Sequence, residues 1–581
     1  MNIKEPLLSF EFANSNGTIQ PYTFENPERV IIAYTIEDVL PMLEKVQTEI
    51  DNGFYAAGFL SYESAPAFDP AFKVKDGGVL PLLWFGIFKE PSTSPISSSG
   101  PFHFSEWKPS VDMDEYRSAI QSIKQSIEEG NTYQTNYTIR LNSHFHGDDS
   151  AYFEKLKRAQ ASNYCAYLNT GEHSILSASP ELFFRLEKGH ITTRPMKGTV
   201  KRGKTLAEDK ANASWLYHSE KNRAENVMIV DLLRNDLGMI AETGSVNVSQ
   251  LFEIEHYPTV HQMTSTITAE VAENTELLDI FKALFPCGSI TGAPKIKTMD
   301  IIADLETTPR GVYCGAIGFI TPNKEAVFNV PIRTVVIDQK SGNAIYGVGG
   351  GITWDSTIKG EYHEVIAKAN ILEENRPDFH LLESFLLNEG RYFLLDEHLI
   401  RLKNTAEYFG FPFNQQEVTR KLQLFASSND SGKLKVRLLL AKNGDIEIHG
   451  QNISSFETPL EVSLAEEPVD SNHPFLYHKT THRDVYSLFQ AKKPSKMFDV
   501  LLWNEAGELT EFTNGNVVLE IDEGLWTPPI SSGLLAGTYR ERLIQTGRIQ
   551  EKVLTFADLK KSTKIWFINS VRKWVEVKLI G

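Results

Sequence analysis

Two lysines lie in sequence surroundings that could make their amines act as nucleophiles. Lys197 lies in the run Arg194-Pro-Met-Lys-Gly-Thr199, and Lys479 lies in the run His478-Lys-Thr-Thr-His-Arg483. A lysine becomes nucleophilic when burial or a neighbouring cation removes its charge, and it can then bond covalently to an electrophilic carbon. Each lysine taken by itself is also compatible with a solvated loop cation. The motifs around each lysine therefore decide between the two interpretations.

The motifs that accompany Lys197 follow one another in a definite order: Ser179-Pro-Glu-Leu182, Thr259-Val-His-Gln262, Phe285-Pro-Cys-Gly288, Thr291-Gly-Ala-Pro-Lys295 and Gly347-Val-Gly-Gly-Gly351. Together they resemble the chorismate-using enzymes, which make anthranilate, isochorismate, salicylate or aminodeoxychorismate. In the first three groups a small residue such as Ala usually occupies the position of Lys197. With a lysine at this position, the chain resembles the aminodeoxychorismate synthases, whose large subunit makes the precursor of p-aminobenzoate.

This resemblance implies a general acid or base and a magnesium site. Glu181 matches the family's acid/base carboxylate, although a turn residue after proline is the alternative. Glu225, Glu361 and Glu364 resemble Mg²⁺ ligands, and the last two lie three residues apart, on one face of a helix. The alternative for Glu364 is an ion pair with Lys368 on a solvated helix face. Relatives often carry Asp or Glu at the position of Asn222, so this chain has less negative charge there.

Further residues match those that hold the chorismate carboxylates in relatives. A guanidinium fork suits a carboxylate geometrically, and backbone amides of a glycine run can donate to one. A glycine run by itself also fits a plain tight turn, and the chain has no Gly-Lys-Ser/Thr for a nucleotide P-loop. The substrate-binding residues that the resemblance implies are Arg333, Tyr313, Gly349, Gly350, Thr291, His261 and Lys368.

The implied reaction is a two-stage displacement on chorismate. Lys197 adds at C2 while Glu181 protonates the departing C4 hydroxyl, and ammonia then enters at C4 and expels the lysine. The sequence contains no cysteine in a nucleophile-elbow context followed by the His and Glu of a glutaminase. Ammonia is therefore expected from solution or from a separate glutamine amidotransferase subunit.

The motifs that accompany Lys479 are His398-Leu-Ile-Arg-Leu402, Glu511-Phe-Thr-Asn-Gly-Asn516 and Gly533-Leu-Leu-Ala-Gly-Thr538. They resemble the class IV aminotransferases, which include branched-chain and D-amino acid aminotransferases and aminodeoxychorismate lyase. The resemblance implies bound pyridoxal 5'-phosphate, with Lys479 attached to its aldehyde. The other implied cofactor-binding residues are Arg401, Glu511, Asn516, Leu535, Gly537 and Thr538.

Within that set, Arg401 and the Gly533–Thr538 segment match the phosphate-binding groups, and Glu511 matches the carboxylate that keeps the pyridine nitrogen protonated. A charge at the end of a hairpin is the alternative for Glu511. These motifs do not distinguish well among a lyase, an amino-acid aminotransferase and a non-catalytic docking or regulatory module. A synthase fused to the lyase that consumes its product would form one pathway, which favours the lyase.

These residues require regular elements to position them. The spacing of Tyr116, Ile120, Ile123 and Ile127 predicts an amphipathic helix that ends at Gly130. Alternation predicts short strands with turns from residue 1 to about 110 and a strand at 133–141. Helices are also expected at 219–237 and 361–374, and an antiparallel meander is expected from strands at 311–320, 326–338 and 344–348.

The polar stretch at 373–379, which contains a proline, predicts a domain boundary. Beyond it we expect a helix from Asp396 to Phe409 closed by Gly410 and a hairpin that turns at Asn443-Gly444. The predicted fold class is α+β. Residues 1–375 are expected to form a chorismate-binding antiparallel β-sandwich with surrounding helices, and residues 380–581 a fold-type IV pyridoxal phosphate α/β domain.

The bulk properties narrow the function classes. The chain has 581 residues, too many for one hydrophobic core, and its net charge of −17 argues against nucleic acid or an anionic membrane as a partner. Cys165, Cys287 and Cys314 are too few and too scattered for a disulfide framework or a zinc cluster and are expected to be buried thiols. With no apolar leader or spanning run, a cytoplasmic protein is expected. Relatives of the second domain form dimers with shared sites, which suggests a homodimer by analogy.

Overall fold

The computed structural model describes residues 5–272, 274–376, 378–453 and 457–580. It divides into two compact units. The first comprises the described residues up to Lys201 together with Ala213–Arg376, and the second comprises Arg202–Asn212 together with the described residues after position 377. A short segment from the middle of the predicted first domain thus belongs to the second unit.

The first unit is built mainly from strands. They are β1 Leu7–Ala13, β2 Ile19–Glu25, β3 Arg29–Ala33, β4 Tyr55–Leu60, β5 Leu83–Phe88, β6 Phe102–Phe104, β7 Lys108–Pro109, β8 Gln134–Gly147, β9 Tyr164–Asn169, β10 His173–Ser179, β11 Leu182–Glu187, β12 His190–Arg194, β13 Met196–Lys201, β14 Asn247–His256, β15 Val260–Glu270, β16 Gly292–Ala293, β17 Ala316–Ile320, β18 Ala326–Asn329, β19 Thr334–Asp338 and β20 Asn343–Ile352.

Helices connect these strands, and α5 continues from the second unit into the first. They are α1 Ile36–Asp51, α2 Ala65–Phe68, α3 Met113–Glu128, α4 Asp149–Gln160, α5 Leu206–His218, α6 Glu220–Gly238, α7 Leu277–Leu284, α8 Lys295–Leu305 and α9 Ile358–Ala369. The predicted helices at 116–127, 219–237 and 361–374 are confirmed by α3, α6 and α9, the last followed by a 3₁₀ turn at Asn370–Leu372.

Two ten-stranded sheets form the first unit. One has the order β16-β8-β20-β19-β10-β9-β1-β2, with β6 and β7 beside β8, and the other has the order β13-β15-β12-β11-β18-β17-β4-β5-β3, with β14 beside β15. All their pairings are antiparallel among the described residues. Aromatic side chains from both sheets meet in a shared core, where the Phe10 ring of β1 lies 5.3 Å from the Phe319 ring of β17.

The predicted meander between residues 311 and 348 is wrong in its connectivity. β17 pairs with β18 in one sheet, and β19 pairs with β20 in the other. The chain changes sheet between Asn329 and Thr334, where Pro331 cannot donate to a strand ladder and Arg333 has a left-handed φ of +54°. This stretch is continuously apolar, so its sequence pattern does not show that its strands pair in two different sheets.

The prediction that only short strands and turns precede residue 110 is also wrong, because α1 occupies 16 residues of this segment. Val39, Leu43, Val46 and Ile50 are its buried residues and recur at helical spacing. This helix packs against β3 and its neighbours, on the outer side of the sheet that carries β13.

The second unit contains two sheets and further helices. Its strands are β21 Leu381–Asn388, β22 Arg391–Tyr392, β23 Lys433–Leu440, β24 Ile446–Asn452, β25 Leu460–Leu464, β26 Asp499–Trp503, β27 Leu509–Phe512, β28 Gly515–Ile521, β29 Gly524–Thr527, β30 Gln550–Glu551, β31 Lys564–Asn569 and β32 Lys573–Leu579. Its helices are α10 Leu395–Phe409, α11 Gln415–Ser427, α12 Asp484–Lys492, α13 Thr538–Gln545 and α14 Phe556–Lys561.

The smaller sheet has the order β22-β21-β23-β24, and the larger has the order β27-β26-β25-β32-β31-β28-β29-β30. β25 runs parallel to both β26 and β32, whereas most other pairs are antiparallel. The predicted helix that ends at Gly410 is confirmed by α10, since Gly410 adopts φ +71° after its last residue. The predicted hairpin is confirmed by the pairing of β23 with β24 around Gly444.

The segment Arg202–Asn212 contacts the rest of the second unit through side chains and backbone. The Tyr408 hydroxyl donates to the carbonyl of Gly203 at 2.8 Å. The His478 ring stacks on Tyr408 with centroids 4.0 Å apart, and its Nε2 lies 3.1 Å from the carbonyl of Lys204. His478 directly precedes the candidate cofactor-binding lysine, so this segment helps to hold the loop before α12 on which that lysine lies.

The three thiols are free and buried, as the sequence predicted. None of the helices in the described part of the chain is long and apolar enough to cross a membrane.

Candidate active sites

The first unit encloses a cavity of about 480 Å³. β13, β20, α6 and α9 all contribute lining residues, as do the connections after β10 and before β19. The lining brings together most of the residues that the sequence singled out in this half: Glu181, Lys197, Glu225, Tyr313, Arg333, Gly349, Gly350, Glu361, Glu364 and Lys368.

The Lys197 amine lies against the glycine run of β20. A Cβ added at Gly351 would lie 3.1 Å from Lys197 Nζ and 2.3 Å from Gln134 Nε2, so only glycine leaves room for both groups. The Gln134 side chain is 1% exposed, and its amide nitrogen and oxygen have no hydrogen-bond partner among the described residues. A buried amide of this kind is suited to bind a ligand or to take part in catalysis.

Burial changes the pKa values of Lys197 and Glu181 in the directions that favour the neutral form of each group. The pKa of Lys197 lies below its ordinary value because burial disfavours the ammonium, and Lys368 acts in the same direction. Burial raises the pKa of Glu181 to about 7, against the opposing effects of Ser289 and Lys197. Glu181 Oε1 has no hydrogen-bond partner among the described residues. Burial thus favours the neutral amine of Lys197, against the opposing charges of Glu225 and Glu181, and it favours the protonated form of Glu181.

Three carboxylates line another part of the cavity. A Cβ at Gly350 would lie 3.5 Å from Glu361 Oε2 and 3.5 Å from Glu364 Oε1, so both carboxylates face one point of β20. Burial raises the pKa values of Glu225 and Glu361, and the Glu364 charge raises both further. Mutual repulsion among oxygen ligands is the condition that a hard divalent cation relieves.

The three carboxylates are therefore chemically suited to Mg²⁺, but they do not all converge on one point. Within the described ranges, no group of three or more His, Cys, Asp or Glu residues is gathered tightly enough to hold a metal ion. Glu364 Oε1 instead pairs with Lys368 Nζ at 2.6 Å, which is the alternative that the sequence left open. The pKa of Glu364 is lowered chiefly by this lysine.

Hydrogen-bond donors lie beside these carboxylates. Arg333 Nη1 donates to the carbonyl of Lys368 at 2.5 Å, and Lys368 Nζ donates to the carbonyl of Gly349 at 2.8 Å. The Tyr313 ring lies against Gly347, where a Cβ would come within 2.3 Å of it. Two cations and a buried ring thus line the cavity wall around the glycine run.

Two residues that the sequence placed in the pocket lie behind its wall. His261 is fully buried, and its Nδ1 lies 2.8 Å from Nδ1 of His256. The Thr291 hydroxyl donates to the carbonyls of Cys287 and Gly288, at 3.3 and 3.2 Å. Neither is among the described residues that line the cavity, whereas their chain neighbours Gln262 and Ile290 are.

Sequence reasoning missed Gln134 in this site. The alternating pattern at 133–141 predicted the strand that carries it, and β8 confirms that strand. Its partnerless buried amide becomes evident only when β8 and β20 pair, which brings Thr135 opposite Ile352. Asn222, by contrast, was noted in the sequence and does line the cavity, with its Nδ2 donating to Ser219 Oγ at 2.8 Å.

The second unit encloses a cavity of about 430 Å³. It brings together all of the predicted cofactor-binding residues: Lys479, Arg401, Glu511, Asn516, Leu535, Gly537 and Thr538. Burial lowers the pKa of Lys479 to about 7, and Arg401 and Arg483 act in the same direction. Burial raises the pKa of Glu511 to about 7.

Glu511 is held from several sides. The Tyr486 hydroxyl donates to Glu511 Oε1 at 2.8 Å, the Leu535 amide donates to the same oxygen at 3.2 Å, and Asn516 Nδ2 donates to Oε2 at 3.3 Å. Gly537 is required beside this group, because a Cβ there would lie 2.0 Å from Asn516 Oδ1. Tyr486 is a partner that sequence reasoning missed.

Arg401 is positioned by a buried carboxylate that sequence reasoning also missed. Glu383 on β21 accepts from Arg401 Nε at 2.8 Å and from Arg401 Nη2 at 2.7 Å, and it lies 2.6 Å from His398 Nδ1. His398 Nε2 lies 3.2 Å from the Thr538 hydroxyl at the start of α13. The helix start, Arg401 and Thr538 suit a phosphate, while Lys479 and Glu511 suit an aldehyde and a pyridine nitrogen, so these residues fit pyridoxal phosphate.

Comparison with known proteins agrees with the two sets of motifs. Residues 11–374 match the family described as chorismate binding enzyme. The chain belongs to that family. Residues 380–580 match the family described as amino-transferase class IV, so this chorismate binding enzyme carries a class IV aminotransferase domain after its first domain. Both predicted resemblances, and the predicted α+β fold class, are confirmed.

Named relatives match the first half. Aminodeoxychorismate synthase component 1 of Salmonella typhimurium is 39% identical over 287 residues, which is 49% of this chain and 62% of the relative. The protein of the same name from Bacillus subtilis is 41% identical over 256 residues, 44% of this chain and 54% of the relative. The matched region thus spans little more than half the length of these relatives.

A solved structure supports the fold of the first unit. Anthranilate synthase component I from Streptococcus pneumoniae TIGR4 superposes with a TM-score of 0.52 at 25% sequence identity, covering 64% of this chain and 91% of that protein. The antiparallel sheets and helices of the first unit therefore follow the fold of this enzyme class.

Proposed function

We propose that this chain makes p-aminobenzoate from chorismate in two steps, amination to 4-amino-4-deoxychorismate and elimination of pyruvate. The observation that carries the proposal is the pairing, in each unit, of one lysine of lowered pKa with one buried carboxylate whose pKa is about 7. Perturbed acids and amines that share a cavity are typical of catalytic sites. The named synthase relatives of the first domain supply the reaction class.

In the first step, Lys197 acts as the nucleophile. Its neutral amine forms a bond to C2 of chorismate, the two conjugated ring double bonds shift toward C4, and the C4–O bond breaks as Glu181 delivers a proton, so that water leaves. Ammonia then forms a bond to C4, the two double bonds shift back, and the C2–N bond to Lys197 breaks. The enzyme is regenerated when Glu181 takes the excess proton from the ammonia nitrogen, and the net change is hydroxyl replaced by amine.

The cavity can meet the negative charge of the substrate in two ways. Arg333 and Lys368 face one carboxylate region, and Glu225, Glu361 and Glu364 are the residues that would hold Mg²⁺. Bound there, a hard cation would supply positive charge for a substrate carboxylate. Release of Glu364 from Lys368 would complete the ligand set and free the lysine for the substrate.

In the second step, Lys479 moves a proton at the substrate carbon that carries the new amine. With a pKa of about 7, it can take the C4 proton near neutral pH. Loss of that proton and cleavage of the C3–O bond expel enolpyruvate, which takes up a proton to become pyruvate, and leave an aromatic ring. The chemistry that pyridoxal phosphate supplies when bound is an electron sink. Glu511 holds the pyridine-nitrogen proton on which that property depends, and Arg401 with Thr538 holds the phosphate.

The source of ammonia completes the proposal. We infer ammonia from solution or from a separate glutamine amidotransferase subunit, because the relatives of the first domain are named as component 1 of a synthase. Class IV domains dimerise in relatives, so a homodimer is part of the proposal by analogy.

The test is a product assay with the full-length protein. Incubation with chorismate, ammonium, Mg²⁺ and pyridoxal phosphate should yield p-aminobenzoate and pyruvate in equal amounts. Anthranilate as the main product would reject the first step. Accumulation of aminodeoxychorismate without p-aminobenzoate would reject the second step and leave an aminotransferase or a non-catalytic second domain.

A further inference from the structure

The cavity of the second unit carries more positive charge than the cofactor's phosphate requires. Beyond Arg401 and Lys479, its lining contains four cations: Lys435, Arg437, Arg483 and Arg572. We call these four side chains the cationic rim. Arg401 is not part of the rim, because Glu383 already holds it through two hydrogen bonds.

The rim is assembled from three separate segments. Lys435 and Arg437 lie two residues apart on β23 and therefore project from the same face of that strand. Arg483 directly precedes α12, and Arg572 lies in the turn between β31 and β32. Tertiary folding, and not a local run of basic residues, brings them to one cavity.

The other three cations act on Lys435. Its pKa is lowered first by burial and then by Arg437, Arg572 and Arg483. No carboxylate forms an ion pair with Lys435, Arg437 or Arg483 in the portion of the chain that the structure describes. Arg483 Nη2 donates to the Thr513 carbonyl and to Asn514 Oδ1, both neutral acceptors, and its guanidinium lies 4.5 Å from the Tyr486 ring centroid. Like charges gathered in this way repel one another, and a bound anion relieves that repulsion.

The acids of this cavity are already engaged elsewhere. Glu511 accepts from Tyr486, Leu535 and Asn516. Asp499 is 1% exposed and accepts from the Val500 amide at 2.7 Å. Neither carboxylate forms an ion pair with Lys435 or Arg437 among the described residues, although the charge of Arg483 lowers the pKa of Glu511.

The walls beside the rim are apolar and aromatic. The Phe498 and Phe567 rings both line the cavity, with centroids 5.1 Å apart in an edge-to-face arrangement, and Leu382 lines it as well. A flat ring gains contact area against such walls, whereas an acyclic chain gains less and loses more conformational freedom on binding.

From this arrangement we infer that the cationic rim is the substrate subsite of the second unit and selects a dicarboxylate carried on a six-membered ring. Lys435 and Arg437 lie on one strand and Arg483 on another segment, so one carboxylate can meet only one of these donor groups, while two carboxylates can meet both. The inference rests on the proposed function and deepens it, since aminodeoxychorismate is a ring dicarboxylate. An amino-acid aminotransferase would not require this combination of charge and shape.

The test uses three probes on the full-length protein: 3-(carboxymethoxy)benzoate as the ring dianion, 3-methoxybenzoate as its matched monoanion and glutarate as an acyclic dianion. Binding is followed by the change in absorbance of bound pyridoxal phosphate, which reports on the second unit. Calorimetry of the same titrations is compared between wild type and variants, so that binding in the first unit cancels. We expect the ring dianion to bind at least about tenfold more tightly than either other probe.

The variants are Lys435→Gln and Arg437→Gln, with Lys435→Arg as the conservative replacement and Lys442→Gln, an exposed hairpin lysine, as the matched control. Each rim change to Gln should reduce affinity for the ring dianion about tenfold and affinity for the monoanion much less. Lys435→Arg and Lys442→Gln should leave the ranking of probes intact. Thermal melts confirm that each variant folds.

Equal binding of the ring dianion and the monoanion to wild type would overturn the inference, as would a ranking that the rim variants leave unchanged. Loss of pyridoxal phosphate after desalting Lys435→Gln would also overturn it, because the rim would then serve the cofactor. If ring-dianion selectivity holds but aminodeoxychorismate yields no pyruvate, the lyase proposal fails and the subsite stands. If the cofactor fails to load, the calorimetric difference between wild type and variants still decides the inference.

Discussion

Lys197 Nζ and Gln134 Nε2 meet at one backbone position, since a Cβ at Gly351 would lie 3.1 Å from the first and 2.3 Å from the second. The two side chains come from β13 and β8, which belong to different sheets. The candidate nucleophile and a buried amide without a described partner therefore share a space that β20 keeps open by having no side chain there.

This relationship predicts different outcomes at neighbouring glycines. Gly351→Ala should displace Lys197 or Gln134 and lower kcat/KM for chorismate amination by about 100-fold. Gly350→Ala should cost less, because its Cβ would meet Glu361, Glu364 and Lys368 only at 3.5–3.6 Å, an ordinary contact distance. Steady-state kinetics that compare kcat/KM of the two variants test this prediction. A larger loss in Gly350→Ala would contradict the assignment of Gly351 to the reactive end of the cavity.

Removal of the candidate nucleophile should separate the two activities. Lys197→Ala should lower synthase turnover by about 1,000-fold or more, because no other amine can form the covalent bond to C2. The variant should still convert supplied aminodeoxychorismate to p-aminobenzoate, because Lys479 belongs to the other unit. Lys201→Ala, at the exposed end of β13, serves as the control. Loss of both activities in a folded Lys197→Ala protein would argue against two independent sites.

Gln134 should show opposite effects on activity and stability. Gln134→Leu removes two buried polar atoms that have no hydrogen-bond partner among the described residues. Its unfolding free energy should rise by about 1–3 kcal/mol while synthase turnover falls. Gln339→Leu is the matched control, since Gln339 Nε2 donates to Asp149 Oδ2 at 2.8 Å and to Ser174 Oγ at 2.7 Å, and this variant should be destabilised. Denaturant titration measures both, and a destabilised Gln134→Leu would show that the amide has a structural partner.

Cofactor uptake should follow the ionisation of Lys479. Its pKa is lowered from 10.5 to about 7, so the reactive neutral amine predominates above pH 7 and the ammonium predominates below it. The rate at which the cofactor-free protein takes up pyridoxal phosphate should therefore rise about tenfold per pH unit below 7 and level off above it. Stopped-flow absorbance gives the profile. Half-maximal uptake above pH 9 would mean that the amine is solvated.

Glu383 should be important for both stability and cofactor retention. Glu383→Gln leaves Arg401 and His398 without their buried carboxylate and should lower the unfolding free energy by about 3–5 kcal/mol. The pKa of Glu383 is held well below its ordinary value of 4.5, so the charged form stabilises the fold at neutral pH and that stability is lost as the pH falls below this value. Cofactor should also dissociate faster from the variant.

The control for this variant is Glu417→Gln, which removes an exposed pair with Arg420 on α11 and should change stability little. Chemical denaturation at neutral pH and at pH 4 compares the three proteins. Equal stability of wild type and Glu383→Gln at neutral pH would show that the network does not support Arg401.

Some features of the chain could be predicted because their causes are local. Helix α10 and its cap at Gly410 follow from spacing within a few residues, and so does the turn at Gly444. The motifs around Lys197 and Lys479 identified the two families, since each motif is a short run whose residue types act together. The segment that contains α1 also carried a helical period, in Val39, Leu43, Val46 and Ile50, which the prediction of short strands overlooked.

Other features depend on which distant segments pair, and local patterns do not encode that choice. The apolar run before Thr334 is the same whether its strands share one sheet or, as here, divide between two. His261 and Thr291 carry plausible pocket side chains, yet the pairing of β13 with β15 and the turn after Cys287 direct them into the protein interior. Gln134 gained its place beside Lys197 only through the pairing of β8 with β20.

The sequence by itself determined the two families and the main candidate catalytic and cofactor-binding side chains of the two cavities, because reactive residue types and their spacing are written in short motifs. Tertiary structure alone decided that Arg202–Asn212 belongs to the second unit, that Glu383 holds Arg401, and that four cations from three segments line one cavity. The burial of a side chain and the charge around it depend on groups from segments far apart in the chain, so only the folded molecule determines them.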